Sequence, residues 1–337
     1  SNFVVTGLVG NLVTDALAGT LTVTTANAGD DAITIDAAAK ATIVNLKAGA
    51  GSDTVTITAG DLADGAALTI NGSEGSAAAA GTVTINGLVA DLNVAKAASG
   101  AITVTLGNAA SQDVAITGSS NAATDITLKS GDASDTVTVS TMAGDLVAAA
   151  GLKSKVFVTG TNAVQSLKGG DSADTIIGAA GADSILGGAG NDTLKFTNGA
   201  ELKAAATVEG GADTDIVEFT SADTNIADAD FAKVKEIETL KLTGISTATL
   251  GTAADTAATG TLTVATGNDT TTITADKSKH FNVDATLLAQ NKDLTVGDAV
   301  GEESNFVVTG LVGNLFTSNK GTLTVTTANA GDDAIDI

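Results

Sequence analysis

The residues with the clearest chemical potential form a tandem run. From Gly169 the sequence reads GGDSADTII, GAAGADSIL and GGAGNDTLK without a gap to Lys195, and a further copy, GGADTDIVE, begins at Gly210. The third copy is a full Gly-Gly-x-Gly-x-Asp-x-apolar-x pattern, and the first two keep the aspartate and the apolar position. Glycines at Gly169, Gly178, Gly187, Gly190 and Gly210 let the backbone turn left-handed and bring carbonyl oxygens close together. A hard divalent cation such as Ca²⁺ takes six to eight oxygens, so converging carbonyls plus a carboxylate suit it. Asp174, Asp183, Asp192 and Asp215 stand at the sixth place of the four copies, and Asp171 and Asp213 lie three and two residues ahead of Asp174 and Asp215. The block therefore offers oxygen ligands at a nine-residue period, with the apolar residue two places later turned inward.

Weaker copies occur elsewhere: ANAGDDAIT at 26–34, AGAGSDTVT at 48–56, SGDASDTVT at 130–138, a partial ATGND at 265–269, and ANAGDDAID at 328–336. Each complete one keeps an aspartate at the sixth place, among them Asp31, Asp53 and Asp135. These are open to two readings, a cation site or an Asx turn in which the carboxylate bonds nearby backbone.

Other chemistries lack their residues. His280 is the sole histidine and cysteine is absent, which excludes zinc clusters, thiolate nucleophiles and histidine-dependent triads. Placed between Lys279 and Phe281, with Lys277 near, His280 reads as a solvated loop residue. Acid pairs such as Asp30 and Asp31 have no tyrosine or tryptophan near them to line a sugar site. The glycine-rich stretches end in Asp rather than Gly-Lys-Ser or Gly-Lys-Thr, so they are not phosphate loops. The expectation is a protein without catalytic apparatus.

The elements that must position these turns are short strands. Apolar clusters recur at roughly 9 to 13 residues: Ile33 to Ile35, Ile43 to Leu46, Val55 to Ile57, Leu68 to Ile70, Val83 to Ile85, Leu92 to Val94, Ile102 to Val104, Val114 to Ile116, Ile126 to Leu128 and Val137 to Val139. Most read apolar, Thr, apolar, and Gly, Asn, Asp and Ser fill the gaps. Hydrophobic residues make up 43%, yet there are only 8 Phe and no Tyr or Trp, so any core is thin and aliphatic. Stacked coils have such cores, each layer burying a few side chains against the next. The acids Asp31, Asp53, Glu74, Asp113 and Asp135 fall near multiples of a two-strand coil of about 20 to 22 residues. The predicted fold is all-β, a parallel β-roll or β-helix solenoid with cation-binding turns. The alternative is tandem antiparallel sandwiches flanking a short roll, with Asn71-Gly72 and Asn86-Gly87 closing hairpins. In 229–244, Phe231, Val234, Ile237 and Leu240 are spaced by three, which predicts a short helix leading into a strand.

A longer repeat encloses all of this. SNFVVTGLVGNLVT at 1–14 returns as SNFVVTGLVGNLFT at 304–317, with Val13 replaced by Phe316, and GTLTVTTANAGDDAITI at 19–35 returns at 321–337 with Thr34 replaced by Asp336. The chain divides by these signals into a Thr/Ala-rich solenoid (1–165), the nonapeptide block (166–219), a mixed β segment with a short helix (220–303) and the start of the next copy of a unit of about 303 residues (304–337).

The nonapeptides resemble the RTX, or hemolysin-type, family of calcium-binding repeats. The resemblance is strong over about fifty residues and departs from the pattern at Ser172, Ala179 and Asp213. It implies a calcium-loaded β-roll, an extracellular or cell-surface location, and secretion by a type I system, in which the chain crosses the envelope unfolded and folds where calcium is plentiful. The low aromatic content, abundant Thr and Ala, and long duplication also resemble bacterial surface-layer proteins. The leading functional expectation is a calcium-dependent structural repeat unit of a surface layer or filament that self-associates, with cell-surface polysaccharide as a further candidate partner. The alternatives are the extender region of a large RTX adhesin and, from another class, an ice-binding protein using its Thr-x-Thr runs. The formal charge of −23, with 16 basic residues against 39 acidic ones, disfavours nucleic acid and anionic lipid. No apolar run has the length of a membrane span.

Overall fold

The computed structural model describes residues 2–25, 32–47, 54–59, 67–71, 82–89, 91–95, 100–107, 113–117, 124–129, 136–221, 225–244, 247–276, 279–299, 301–328 and 335–336. These form a parallel β-solenoid in two compact units, Ser1–Ile176 and Ile177–Ile337.

In the first unit each strand pairs with the strand two places on, so two strands make one coil. One ladder runs from the first half of Ala32–Lys47 through Thr54–Thr58, Thr82–Leu88, Gly100–Leu106, Thr124–Lys129, Leu146–Ala148 and Ser166–Lys168. The other runs from the second half of Ala32–Lys47 through Ala67–Asn71, Asp91–Ala95, Val114–Thr117, Thr136–Ser140 and Lys155–Thr159. Every pairing is parallel. Register keeps like with like: Val55, Val83, Ile102, Ile126 and Leu146 follow one another through the ladder and are at most 6% exposed. The residues between them point outward, and Thr34, Thr56, Thr84, Thr103 and Thr127 form a second column in register. The apolar, Thr, apolar pattern is thus the period-two alternation of a coil wall.

The antiparallel alternative fails at the turns it relied on. Asn86 lies inside Thr82–Leu88, beside Thr58 and Thr105 in parallel ladders, and Gly87 has φ +69° where the register shifts. Asn86-Gly87 makes a bulge, which needs the same left-handed freedom as a hairpin turn. Asn71 pairs in parallel with Ala95, and Gly72 lies outside the described residues.

In the second unit, one ladder passes through Thr193–Phe196, Ile216–Phe219, Ile237–Leu242, Ala258–Thr266, His280–Asp284, Asn305–Leu311 and Leu323–Thr327. A short ladder of Ser184–Ala189, Thr207–Ala212 and Val234–Lys235 gives way to another that begins at Asn225–Ile226 and continues through Thr247–Leu250, Thr271–Ala275, Asp293–Asp298, Asn314–Ser318 and Ile335–Asp336. Helical turns enter where the two exchange: α1 (Gly199–Ala204), a 3-10 turn at Asp228–Phe231, and α2 (Thr252–Ala257). Asn198 caps α1 by accepting from the Glu201 N–H, and Asp228 accepts from the N–H groups of Gly251, Ala253 and Ala254 at the start of α2.

The helix expected within 229–244 is confined to the 3-10 turn, and Val234, Ile237 and Leu240 belong to strands. Glu236, with φ +54°, breaks the strand between them and resets its alternation, so inward residues fall three apart without a helix.

The duplicated segment is seen in two settings. Phe3 is 52% exposed, whereas Phe306, its equivalent, is fully buried with its ring centroid 6.4 Å from that of Phe281. Phe306→Ala is expected to cost about 3–5 kcal/mol, the usual range for a buried phenylalanine. Phe3→Ala is expected to leave the stability within about 0.5 kcal/mol, as for a surface site. Thermal unfolding of the two variants checks this, and equal losses would contradict the different settings.

Candidate metal centre

Among the described residues the sixth-place aspartates are the most buried acids: Asp174, Asp183, Asp192 and Asp215 are each 0–1% exposed. Asp171 and Asp213, three and two residues ahead of Asp174 and Asp215, are exposed. Within the first unit, Asp174 Oδ2 accepts from the Gly170 N–H at 2.6 Å, closing its own turn, and Oδ1 accepts from the Val156 N–H of the previous coil at 2.7 Å. Asp171 Oδ2 likewise accepts from the Gly151 N–H at 3.0 Å. Gly169 is buried in the same turn.

Within the second unit the arrangement repeats every 23 residues. Asp215 Oδ1 accepts from the Asp192 N–H at 2.8 Å, and Glu238 Oε2 accepts from the Asp215 N–H at 2.7 Å. Asp213 Oδ2 accepts from the N–H of Gly190, whose φ is +105°. A Cβ on Gly187 would overlap both Asp192 Oδ2 and the Gly210 carbonyl oxygen, and one on Gly210 would overlap the Glu236 carbonyl oxygen and lie 2.7 Å from Asp215 Oδ2. So beside each of these glycines a carboxylate oxygen and a carbonyl oxygen from the next coil converge, in space that exists only because the side chain is hydrogen. Asp215 Oδ2 is buried and has no hydrogen-bond partner among the described residues. Asp183 stands beside Gly178, where a Cβ would lie 3.4 Å from its Oδ2. Among the described residues no three acids, histidines or cysteines converge as a metal cluster, so a cation here would need backbone carbonyls as well. Carboxylate plus carbonyl is the donor set a hard cation takes.

Two neighbouring columns differ in how their charge is met. Glu218 lies between Lys195 (3.2 Å) and Lys241 (2.9 Å), one in the coil before and one in the coil after. Burial raises its carboxyl, but the hydrogen bonds and charge of Lys241 and Lys195 outweigh this and hold it below the usual value. Asp215 has no lysine partner. Burial pushes its carboxyl up from 3.8 to about 6, opposed by the Asp192 N–H and reinforced by Glu238, Asp213 and Glu236. Asp174 is also pushed up to about 6, by burial first, against the N–H groups of Val156 and Gly170, with Asp171 adding repulsion.

Two members of the nonapeptide series escaped sequence reasoning. Gln165 occupies the place of the aspartate one nonapeptide earlier: its Oε1 accepts from the Thr161 N–H four residues back, as Asp174 does from Gly170. Its Nε2 donates to the carbonyls of Met142 and Gly144 at 2.8 Å each. An amide thus fills, with its own donors, a turn whose carbonyls point inward. At the far end KVKEIETLK (233–241) keeps the register with Glu238 in the sixth place. Asp215 plus 23 residues was the available signal.

The acids outside the block serve another purpose where they are described. Asp91, Asp113, Asp125 and Asp145 each accept a backbone N–H from the following coil, those of Ala115, Thr136, Asp145 and Ser166. Asp31, Asp53 and Asp135 lie outside the described residues. His280 is exposed as expected, but it opens a strand rather than a loop and its ring lies 3.0 Å from Asn305 Nδ2.

Residues 159–194 match the model of the RTX calcium-binding nonapeptide repeat, in four copies. The match begins ahead of Gly169 and so takes in the Gln165 copy. No curated protein and no solved structure matches the chain. RTX nonapeptides are calcium-binding motifs, and this block has their glycine turns and buried aspartates. No described helix is long and apolar enough to cross a membrane.

The raised carboxyls fix a pH dependence. The folded chain holds protons on Asp174 and Asp215 that the unfolded chain releases near pH 3.8, so without calcium stability falls as pH rises from about 3.8 through about 6. Glu218 acts in the opposite sense: its contribution is present above its ordinary value of 4.5 and is lost as pH falls through its lowered one, so it does not distinguish pH 5 from pH 7.5. Calcium-free melting is therefore expected to be higher at pH 5 than at pH 7.5, with Asp174→Asn plus Asp215→Asn flattening the difference. A wild-type profile that is flat, or that rises with pH, would contradict it.

Proposed function

We propose that this chain is an extracellular, calcium-dependent structural protein, a non-enzymatic repeat unit of a surface layer or cell-surface filament. The observation that carries the reading is the stack of Asp192, Asp215 and Glu238 against the carbonyls of Gly210 and Glu236. A column of carboxylates one coil apart, buried at Asp192 and Asp215 and half-buried at Glu238, with no lysine among the described residues at Asp215 or Glu238, is a place for an external cation. Asp192 with the Gly210 carbonyl, and Asp215 with the Glu236 carbonyl, would hold Ca²⁺, and Gln165 would close the block at its other end without an ion. Bound calcium stabilises only the folded form, by mass action. The RTX nonapeptides support secretion by a type I route, and the long duplication supports self-association. Cell-surface polysaccharide remains the candidate for a second partner.

A second reading has one observation in its favour. The outward Thr34, Thr56, Thr84, Thr103 and Thr127 column is a regular hydroxyl array of the kind that could order water, and thermal hysteresis of the purified chain would support ice binding over assembly.

Circular dichroism in EDTA and then in millimolar calcium tests the proposal. The β signal and melting temperature are expected to rise with calcium, and filaments or sheets to appear in micrographs. Asp192→Ala is expected to weaken calcium-dependent folding more than Asp31→Ala in calorimetric titration. An unchanged melt on chelation, or equal effects of the two substitutions, would sink the assignment of the block as the main site.

A further inference from the structure

One corner of the first unit meets with the chain's own atoms the need that the later nonapeptide turns leave to a cation. Gln165 is 2% exposed and stands one coil past Gly144, since Leu146 pairs with Leu167. Its Oε1 accepts from the Thr161 N–H at 2.6 Å and from the Thr161 hydroxyl at 3.4 Å, and its Nε2 donates to the carbonyls of Met142 and Gly144 at 2.8 Å each. The carboxamide thus uses both acceptor places and both donors. Turned the other way it would set donor against donor and acceptor against acceptor, so its neighbours fix its orientation. Asp174, at the same place of the next nonapeptide, accepts from the N–H groups of Gly170 and Val156. An ionised carboxylate serves there, but against the Met142 and Gly144 carbonyls it would have no proton to donate.

We propose that the Met142 and Gly144 carbonyls form a cation seat that the Gln165 carboxamide fills, so that the coils of 136–168 fold without calcium. They then offer a finished coil to the first nonapeptide, whose Asp174 and Asp171 bond to it through the N–H groups of Val156 and Gly151. The assignment rests on the calcium-dependent reading of the chain and names the part that is ordered before the ion arrives.

Three features of the corner support it. Two carbonyl oxygens converge on the amide nitrogen as oxygens do on a hard cation. Nothing there awaits a further partner: among the described residues, no buried side-chain polar atom of 136–176 lacks one, whereas Asp215 Oδ2 does. The surroundings are closed as well. Met142, Leu146, Leu152, Val158 and Leu167 are 0% exposed, and Asp145 Oδ1 accepts the Ser166 N–H. The chain enters the corner through Thr141 at φ +53°, a left-handed step that a β-branched residue takes only where its neighbours hold it.

Gln165→Glu keeps the shape of the side chain but replaces the donating amide by a charge that repels both carbonyls. The corner then holds carboxylate and carbonyl oxygens with no donor between them, which is the set a hard cation takes. Gln165→Met keeps the length and offers neither amide nor charge.

Hydrogen exchange of the full chain, in EDTA and in millimolar calcium, reads the peptides that cover 142–148 and 161–168. In the wild type they are expected to exchange equally in both media. Gln165→Glu is expected to speed their exchange about tenfold or more in EDTA, the scale of buried acceptors losing their donor, and calcium to restore it. Gln165→Met is expected to exchange fast in both. A wild-type corner that gains protection with calcium as 187–219 do would overturn the proposal, as would a Gln165→Glu chain that matches the wild type in EDTA or stays fast in calcium. A Gln165→Met chain that is slow in EDTA, or that calcium rescues, would overturn it too, because the amide or the ion would then act elsewhere. Wild-type amides of 187–219 report separately on the functional reading: if they ignore calcium that reading fails, while the EDTA measurements at 142–168 still decide this corner.

Discussion

In a coil only two strands wide, the polar groups of the turns must be satisfied without a partner strand. The ladders take the backbone N–H and C=O groups of the walls, as in any parallel sheet; at the corners only some groups pair coil to coil, as the Gly107 N–H does with the Leu88 carbonyl, and unpaired buried backbone is costly. This chain answers with carboxylates. In the first unit Asp91, Asp113, Asp125 and Asp145 each tie a corner to the coil that follows, whereas Asp174, Asp215 and Glu238 reach back to the coil before. Carboxylates can satisfy N–H groups only. The carbonyl oxygens of Gly210 and Glu236 gather beside the Asp192 and Asp215 carboxylates, with the Gly211 N–H donating to that of Glu236, and oxygens drawn so close together favour something positive between them.

The lysines show that the chain can supply positive charge where its design calls for it. Lys195, Glu218 and Lys241 recur at the coil spacing and alternate in sign, so the charge of Glu218 is met within the protein. Three residues earlier in each coil stand Asp192, Asp215 and Glu238, all acidic. Two unit charges one strand spacing apart, about 4.8 Å, repel by roughly 3 kcal/mol at an effective dielectric near 20. Folding without a cation therefore works against this column, and folding with one is driven by it. Gln165 marks where the need ends, since its amide donates to the Met142 and Gly144 carbonyls and carries no charge.

What the sequence disclosed, and what it withheld, follow from the range of each signal. Val83 and Ile85, or Ile126 and Leu128, announce a strand wall because period-two alternation is local, and the nonapeptides announce their turns because left-handed glycines and a buried acid recur at a fixed step. Gln165 and Glu238 were hidden because they keep the position but change the residue, so only the coil offset identifies them. Asn86-Gly87 supplies the same left-handed step to a bulge as to a hairpin, and its neighbours in space decide which. Phe231, Val234, Ile237 and Leu240 imitate a helix because Glu236 turns left-handed between two strands. Phe3 and Phe306 are the limiting case: their local sequences are identical and their burial is opposite, so no local reading could separate them.

The central claim is that calcium acts between the coils around Asp192, Asp215 and Glu238 and not along the solenoid at large. Hydrogen exchange read peptide by peptide, with and without calcium at neutral pH, tests it directly. Amides of 187–219 and 234–242 are expected to gain strong protection on adding calcium, and those of 100–117, tied by Asp91 and Asp113, to change little. Protection that rises equally along the chain, or that leaves 187–219 unaltered, would contradict the account.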